Sequence, residues 1–143
     1  MSLNERLAAV SARFKDNAPA AIRGPVIEAK TQFAKLFDPS TTIQVGDKLP
    51  DFCLTNALGE EVSSADFFSR GPLLVTFYRG SWCPFCDLAV ASLQRHLPEF
   101  QSKGVTLVAI TPELPDYWLS LSEKHDLQYG VHLPLSIDGC VLH

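Results

Sequence analysis

The sequence predicts an α/β fold in which helices flank a central sheet, and three segments carry that prediction. Residues 73–78 and 105–110 are apolar runs of the kind found in strands buried on both faces. Between them, residues 84–102 place apolar side chains on one helical face and polar ones on the other. A strand–helix–strand unit of this kind crosses over right-handedly into a parallel pair. A chain of 143 residues is long enough for a moderate core.

An N-terminal helical extension is predicted for residues 1–40. Apolar side chains recur at helical spacing through residues 3–37, with breaks expected near 17–19 and at Gly24-Pro25. We therefore expect two helices, and we expect them to pack on the domain that follows.

That domain, predicted to span residues 43–143, should begin with a pair of short strands. The strands are expected at residues 51–54 and 61–62, with a turn at 56–59 between them. Residues 63–66, Ser-Ser-Ala-Asp, resemble a capping box and predict a short helix.

The long amphipathic helix is followed by a strand, a helix and a last strand. The helix is predicted at residues 116–125 and the last short strand at 131–137. Pro98 lies inside the long helix, where it is expected to produce a kink.

A Cys-x-x-Cys pair, Cys83 and Cys86, lies where the first long strand gives way to the long helix. Redox-active dithiols are usually placed in this way. Two thiols this close can form a disulfide and pass it to another molecule by thiol exchange. Such a pair at the carboxyl end of a strand indicates a thioredoxin-like fold, with a central mixed sheet flanked by helices.

Local geometry favours Cys83 as the attacking thiol. Cys83 is predicted to be the N-cap of the helix and Pro84 its first residue, where the missing N–H costs nothing. A thiolate at the N-cap faces free backbone N–H groups and the positive end of the helix dipole, and both lower its pKa. Cys86 lies one turn into the helix beside its apolar stripe and is expected to be the less exposed sulfur.

Composition excludes several classes of function. No apolar run approaches the roughly 20 residues that span a bilayer, and a net charge of −4 leaves no basic stripe for nucleic acid. The N-terminus lacks an apolar secretory segment, and four cysteines are too few for a disulfide-stapled secreted scaffold, so a cytoplasmic location is expected. The acidic residues occur singly and are interpreted as solvated surface.

No cofactor is expected. The chain has no Gly-rich phosphate loop to hold a flavin or a nucleotide. A tetrahedral metal site would need two further ligands beside the Cys-x-x-Cys pair. Cys53, Cys140 and the four histidines have no ligand spacing, so no metal is expected either.

Three segments of the chain also carry a family resemblance. They are residues 45–54, Val-Gly-Asp-Lys-Leu-Pro-Asp-Phe-Cys-Leu; residues 74–86, which end in Trp-Cys-Pro-Phe-Cys; and residues 107–112, Leu-Val-Ala-Ile-Thr-Pro. Together they resemble the peroxiredoxin-like AhpC/TSA family (alkyl hydroperoxide reductase/thiol-specific antioxidant), up to about residue 129. The resemblance implies a thioredoxin-dependent antioxidant peroxidase. Such an enzyme reduces hydrogen peroxide or alkyl hydroperoxides, and thioredoxin or another thiol then recycles its disulfide.

The resemblance leaves the attacking cysteine open. The family's site has the pattern Pro-x-x-x-Thr-x-x-Cys, and aligning the strand ends puts Arg79 at the Pro, Cys83 at the Thr and Cys86 at the peroxide-attacking cysteine. The helix-cap argument favours Cys83 instead, so both cysteines remain candidates. Family members polarise the peroxide with a later arginine, but this chain has none after Arg95; Arg79 is the candidate to replace it. Supporting roles are expected for Tyr78, Trp82, Pro84 and Pro134.

The C-terminal part departs from the family pattern. Residues 133–139 look like a late hairpin of the family brought forward, so the domain is expected to be C-terminally shortened. If Leu133-Pro134 is the cis-proline that thioredoxin folds place beside the dithiol, the site is complete; otherwise an exposed sheet edge remains. Two alternatives to the peroxidase therefore stay open. One is a thioredoxin- or glutaredoxin-like protein-disulfide oxidoreductase, and the other is a redox-inactive interaction module. A homodimer is also left open.

Overall fold

Two compact units divide the chain, residues 1–50 and residues 51–143. The structure, a computed structural model, describes residues 1–56 and 59–134. The first unit contains the predicted helical extension together with the segment that follows it.

The first unit consists of two helices and a short 3-10 turn. They are α1 Leu3–Asn17, α2 Ala20–Leu36 and the turn Pro39–Thr41. A capping box starts α1, because Ser2 Oγ accepts from the Glu5 N–H and the Glu5 carboxylate accepts from the Ser2 N–H. The predicted break near residues 17–19 is confirmed, but the one at Gly24-Pro25 is wrong. The helix α2 runs through Pro25, whose missing N–H removes only one backbone bond near the helix start.

The second unit is built on a five-stranded mixed sheet. Its elements in chain order are β1 Cys53–Thr55, β2 Glu61–Ser63, α3 Ser64–Phe68, β3 Leu73–Phe77, α4 Pro84–Ser102, β4 Thr106–Ile110, α5 Pro115–His125 and β5 Gly130–Pro134. The strand order is β2-β1-β5-β4-β3. The strands β3, β4 and β5 run parallel, whereas β1 pairs antiparallel with both β2 and β5. The thioredoxin-like α/β fold and its parallel strand–helix–strand unit are therefore as predicted.

The core lies on both faces of the sheet, and β4 contributes to both. Leu107 and Ala109 belong to the cluster that α4 and α5 complete, while Val108 and Ile110 belong to the cluster around Phe67 of α3. This alternation follows from the two-residue period of a strand. The helix α4 has the bounds predicted from its apolar periodicity and runs through Pro98; the kink there stays a prediction.

The strand β3 packs on both faces, as its apolar composition predicts. Leu74 contacts the core cluster of α4 and α5, while Leu73 and Val75 contact the cluster around Phe67. Its burial is less deep than expected, because among the described residues β3 pairs only with β4; its side chains are half-buried or, at Phe77, 76% exposed. The described chain also has no cis peptide bond, and Pro134 lies in β5 opposite Leu54. Leu133-Pro134 is therefore not a cis-proline in this structure, and within residues 1–56 and 59–134 the strand β3 lies at the edge of the sheet.

Candidate active site

The predicted dithiol lies where β3 passes into α4. Cys83 is the N-cap of α4, Pro84 is the first helical residue, and Cys86 lies in the first turn. Both cysteines carry thiols. The local order of strand, turn and capped helix is therefore the one that the sequence predicted.

A tight turn of residues 79–82 connects the strand to the N-cap. The Cys83 N–H donates to the Gly80 carbonyl at 3.2 Å. Gly80 has a φ of +149°, and a Cβ at this position would lie 2.6 Å from Nε1 of Trp82. The turn thus needs a glycine at this position.

Arg79 contacts both sulfurs of the pair. Its Nη2 lies 3.1 Å from Sγ of Cys83, and its backbone N–H donates to Sγ of Cys86 at 3.4 Å. The guanidinium also lies 5.2 Å from the ring centroid of Trp82, in a cation–π arrangement. Four of the predicted site residues, Arg79, Trp82, Cys83 and Cys86, therefore lie in one cluster.

The pKa values of the two thiols are shifted in opposite directions. Burial raises the pKa of Cys83, but the neighbouring thiol and amide of Cys86 and the guanidinium of Arg79 outweigh burial, so the net pKa is lowered. Sγ of Cys83 makes no side-chain hydrogen bond of the usual N-cap type. The pKa of Cys86 is raised, first by burial and then by the neighbouring Cys83. The pair accordingly favours a thiolate on Cys83 and a proton on Cys86.

Cys83, and not Cys86, is the less exposed sulfur. Cys83 has 0% of its surface exposed, whereas Cys86 is half-buried. The prediction that Cys86 would be less exposed is wrong, because it considered only depth along the helix. The turn before the helix brings Arg79 onto the N-cap sulfur, whereas Arg79 and Trp82 are themselves exposed.

Sequence reasoning missed Glu113, which it interpreted as solvated surface. Glu113 is half-buried, and its carboxylate accepts hydrogen bonds from the backbone N–H and from Oγ of Ser81, both at 2.7 Å. Glu113 follows β4, and the carboxyl ends of parallel strands meet at the same end of a sheet. That topology is the signal that places Glu113 beside the dithiol.

Of the remaining predicted residues, Tyr78 lies in the core cluster against which Cys86 packs, and Pro134 lies two strands away from β3. Tyr78 is 6% exposed in the core cluster with α4, and burial raises the pKa of its phenol to about 12. Pro134 lies in β5, which β4 separates from β3. Cys140 lies outside the described residues. Within residues 1–56 and 59–134, no three Cys, His, Asp or Glu side chains form a metal-ligand group, and no helix is long and apolar enough to cross a bilayer.

The fold and the site together define a class, the thioredoxin-like α/β proteins with a Cys-x-x-Cys at a strand-to-helix junction. Within that class the chain belongs to the AhpC/TSA family, whose model matches residues 45–138. The resemblance seen in the sequence is thereby confirmed.

Relatives of two kinds share this part of the chain. The thiol-disulfide oxidoreductase ResA of Geobacillus thermodenitrificans is 30% identical over 108 residues, which cover 76% of this chain and 59% of that protein. A putative peroxiredoxin of Mycobacterium tuberculosis is 33% identical over 99 residues, covering 69% of this chain and 60% of the relative. The crystal structure of the peroxidoxin BcpB from M. tuberculosis shares the fold, with a TM-score of 0.58 and 22% identity over 62% of this chain and 57% of that one. The chain thus spans less than two thirds of each relative.

Proposed function

We propose that this protein reduces hydroperoxides, with Cys83 as the attacking thiolate and Cys86 as the resolving thiol. The observation that carries the proposal is the Arg79 guanidinium, whose Nη2 lies 3.1 Å from Sγ of Cys83. Cleavage of a peroxide develops negative charge on the leaving oxygen, and a cation beside the sulfur stabilises that charge. Arg79 is the arginine whose side chain contacts the Cys83 sulfur, so we assign this role to it.

The proposed cycle has three balanced steps. The Cys83 thiolate attacks one peroxide oxygen; an S–O bond forms, the O–O bond breaks, and the leaving alkoxide or hydroxide takes up a proton. Sγ of Cys86 then attacks the sulfenic acid on Cys83, an S–S bond forms, and water leaves. An external dithiol reduces the disulfide by two successive exchange steps and is itself oxidised.

The burial of Cys83 favours a small substrate. Its sulfur has no exposed surface, so a folded protein that carries a disulfide has no direct approach to it. A hydroperoxide has only a few atoms at its reactive end, and the residue that contacts the sulfur, Arg79, is itself exposed. A modest movement of the Arg79 side chain would give the O–O group access.

The reductant that we propose is thioredoxin or a similar dithiol, and the compartment that we propose is the cytoplasm. Cytosolic thiol systems keep such pairs reduced between turnovers. The similarity to a putative peroxiredoxin supports the proposed dithiol reductant by analogy.

A second candidate function is protein-disulfide exchange. It is favoured by the position of the lowered pKa, which belongs to the first cysteine of the Cys-x-x-Cys and lies at the helix N-cap. The similarity to ResA, which is named a thiol-disulfide oxidoreductase, points the same way. Against it stands the complete burial of that sulfur.

The test compares peroxide consumption with insulin-disulfide reduction on the same reduced protein. Arg79→Gln should lower peroxide turnover by roughly 10²-fold, the scale for losing one oriented charge-stabilising donor. Disulfide reduction develops no oxyanion and should lose much less. Arg95→Gln is the matched control, because this substitution removes the same charge from an exposed position on α4.

Three results would count against the proposal. Undetectable wild-type peroxide turnover with active insulin reduction would assign the site to disulfide exchange. Equal losses in both assays for Arg79→Gln would mean that Arg79 supports only the fold. An equal effect of Arg95→Gln would mean that total charge, and not the contact with Cys83, matters.

A further inference from the structure

We infer that Glu113 is a positioning residue for the dithiol. Its carboxylate holds the turn of residues 79–82 in the conformation that brings Arg79 to the sulfur of Cys83. The inference deepens the proposed function, on which it rests for the role of Cys83 as nucleophile.

The first step concerns the hydrogen bonds between Glu113 and the turn. One carboxylate oxygen accepts the backbone N–H of Ser81 and the other accepts its hydroxyl, both at 2.7 Å. Hydrogen bonds to an ionised carboxylate are roughly twice as strong as neutral ones. Because one of the two donors is a backbone N–H, the main chain of the turn is held as well as a side chain.

The second step is the anchorage of Glu113 itself. Its backbone N–H donates to Oγ1 of Thr111 at 3.2 Å. Thr111 is fully buried, and its own N–H donates to the His132 carbonyl at 3.0 Å, which continues the pairing of β4 with β5. Glu113 is thus fixed to the sheet and can fix the turn in its place.

The third step is the short path from Ser81 to the reacting sulfur. Ser81 lies between Arg79, which contacts Sγ of Cys83, and the N-cap itself. A Cβ on Gly80 would lie 3.0 Å from Oε1 of Glu113, so the carboxylate also packs against the backbone of the turn. Loss of this packing and of one hydrogen bond frees the residues that orient Arg79.

The charge of Glu113 would act in the opposite direction from its positioning role. A carboxylate near a thiol disfavours the thiolate and raises the pKa of the thiol. The groups that lower the pKa of Cys83 are Cys86 and Arg79. If Glu113 acted through its charge, its neutralisation would favour the Cys83 thiolate; if it positions Arg79, neutralisation would disfavour that thiolate.

The experiment measures the rate at which iodoacetamide alkylates Cys83 between pH 4 and 9, with mass spectrometric assignment of the modified sulfur. In Glu113→Gln we expect the midpoint of the alkylation-rate profile to move to higher pH by about half to one unit, which is a threefold to tenfold smaller thiolate fraction at pH 5. The midpoint is read and not the absolute rate, because release of Arg79 would also make the buried sulfur more accessible. Ser81→Ala removes one of the two bonds and should give a smaller change of the same sign. Glu99→Gln, on the exposed face of α4, is the control and should leave the rate unchanged.

A midpoint that is unchanged or moved to lower pH in folded Glu113→Gln would overturn the inference, whatever the effect of the substitution on the free energy of unfolding. If Glu113→Gln does not fold, Ser81→Ala decides alone, and an unchanged midpoint there overturns the inference. The readout does not depend on peroxide turnover. A midpoint moved to higher pH in a protein without peroxidase activity would therefore sustain the positioning role while refuting the proposed function.

Discussion

At the scale of single residues, the site is asymmetric. Cys83 has the lowered pKa and lies 3.1 Å from the Arg79 guanidinium, while Cys86 has the raised pKa and accepts a hydrogen bond from the Arg79 backbone N–H. The thiolate is the nucleophile in thiol chemistry. The asymmetry supports our proposal that the two cysteines carry out different steps, a question on which the helix cap and the family alignment disagreed.

We predict that single serine variants separate the two steps. Cys86→Ser should still form a sulfenic acid on Cys83 when it is treated with hydrogen peroxide, because the attack needs only the thiolate. Dimedone labelling followed by mass spectrometry detects that species. Cys83→Ser should show no comparable label on Cys86, whose raised pKa leaves it protonated near neutral pH. A strong dimedone label on Cys86 in Cys83→Ser would instead favour the alignment with the family's peroxide-attacking cysteine.

The residue-scale features divide into those that are local in sequence and those that are not. The N-cap position of Cys83 and the helix start at Pro84 were predictable, because both depend on adjacent residues. The pairing of Glu113 with Ser81 was not, since it joins residues 32 apart in sequence through the ends of two strands. The burial of Cys83 was missed for a related reason, as it depends on how the turn returns Arg79 to the sulfur.

At the scale of elements, one charged cluster joins α4 to α5. Asp87, in the first turn of α4, accepts hydrogen bonds from Lys124 Nζ at 2.8 Å and from His125 Nε2 at 2.7 Å. Burial raises the pKa of Asp87, but the two partners outweigh it and the net pKa is lowered. Asp87, like Glu113, is an acidic residue that the sequence interpretation wrongly assigned to solvated surface.

We predict that Asp87→Asn lowers the free energy of unfolding by about 0.5–1 kcal/mol at neutral pH, a value kept small because Lys124 is largely exposed. Since the folded-state pKa is lowered, the contribution is complete above the unfolded-state pKa of about 3.9. It is lost as the pH falls through the folded-state value. Urea denaturation of both proteins at neutral and acidic pH measures the difference. The two proteins should converge at the acidic end.

The matched control is Glu99→Gln, whose carboxylate lies 3.6 Å from Lys103 on the exposed surface of the same helix. It should change the free energy of unfolding by less than Asp87→Asn does. A difference between Asp87→Asn and the wild type that is the same at every pH would contradict the electrostatic account.

Whether an element was predictable depends on where its determinants lie. The bounds of α4 follow from its own periodicity and its own cap, and they were correct. The apolar composition of β3 correctly predicted packing on both faces, but its edge position among the described residues depends on which strands pair with it and was not predictable from its own sequence. The helix α2 shows a different error. The Gly24-Pro25 pair predicted a break in the helix, but α2 continues through Pro25.

At the scale of the whole molecule, the chain divides into two compact units, and the first of them ends in an irregular segment. No helix or strand lies between Thr41 and β1, and residues 42–48 are all exposed. Exposed segments of this kind are the preferred sites of proteolytic cleavage. Lys48 lies in this exposed segment. The other Lys and Arg residues of the first unit lie within its helices, at positions 6, 13, 15, 23, 30 and 35.

We predict that limited trypsin digestion cuts first after Lys48, because cleavage needs a backbone that can be extended in the protease site. Intact mass measurement over the first minutes of digestion identifies the product. Lys48→Gln should delay the first cut, while Lys35→Gln, in the last turn of α2, should not. A first cut within α1 or α2 would show that these helices open more readily than the segment after them.

The contact between Arg79 and Cys83 also affects the reduction potential of the Cys83–Cys86 pair. The guanidinium favours the thiolate form of Cys83, and that form exists only while the dithiol is reduced. Any free energy that it gives to the reduced state raises the reduction potential, by about 30 mV for each 1.4 kcal/mol. The cation that we propose assists cleavage of the peroxide thus makes the resulting disulfide a stronger oxidant. Electron transfer from the reductant that closes the cycle becomes more favourable by the same amount.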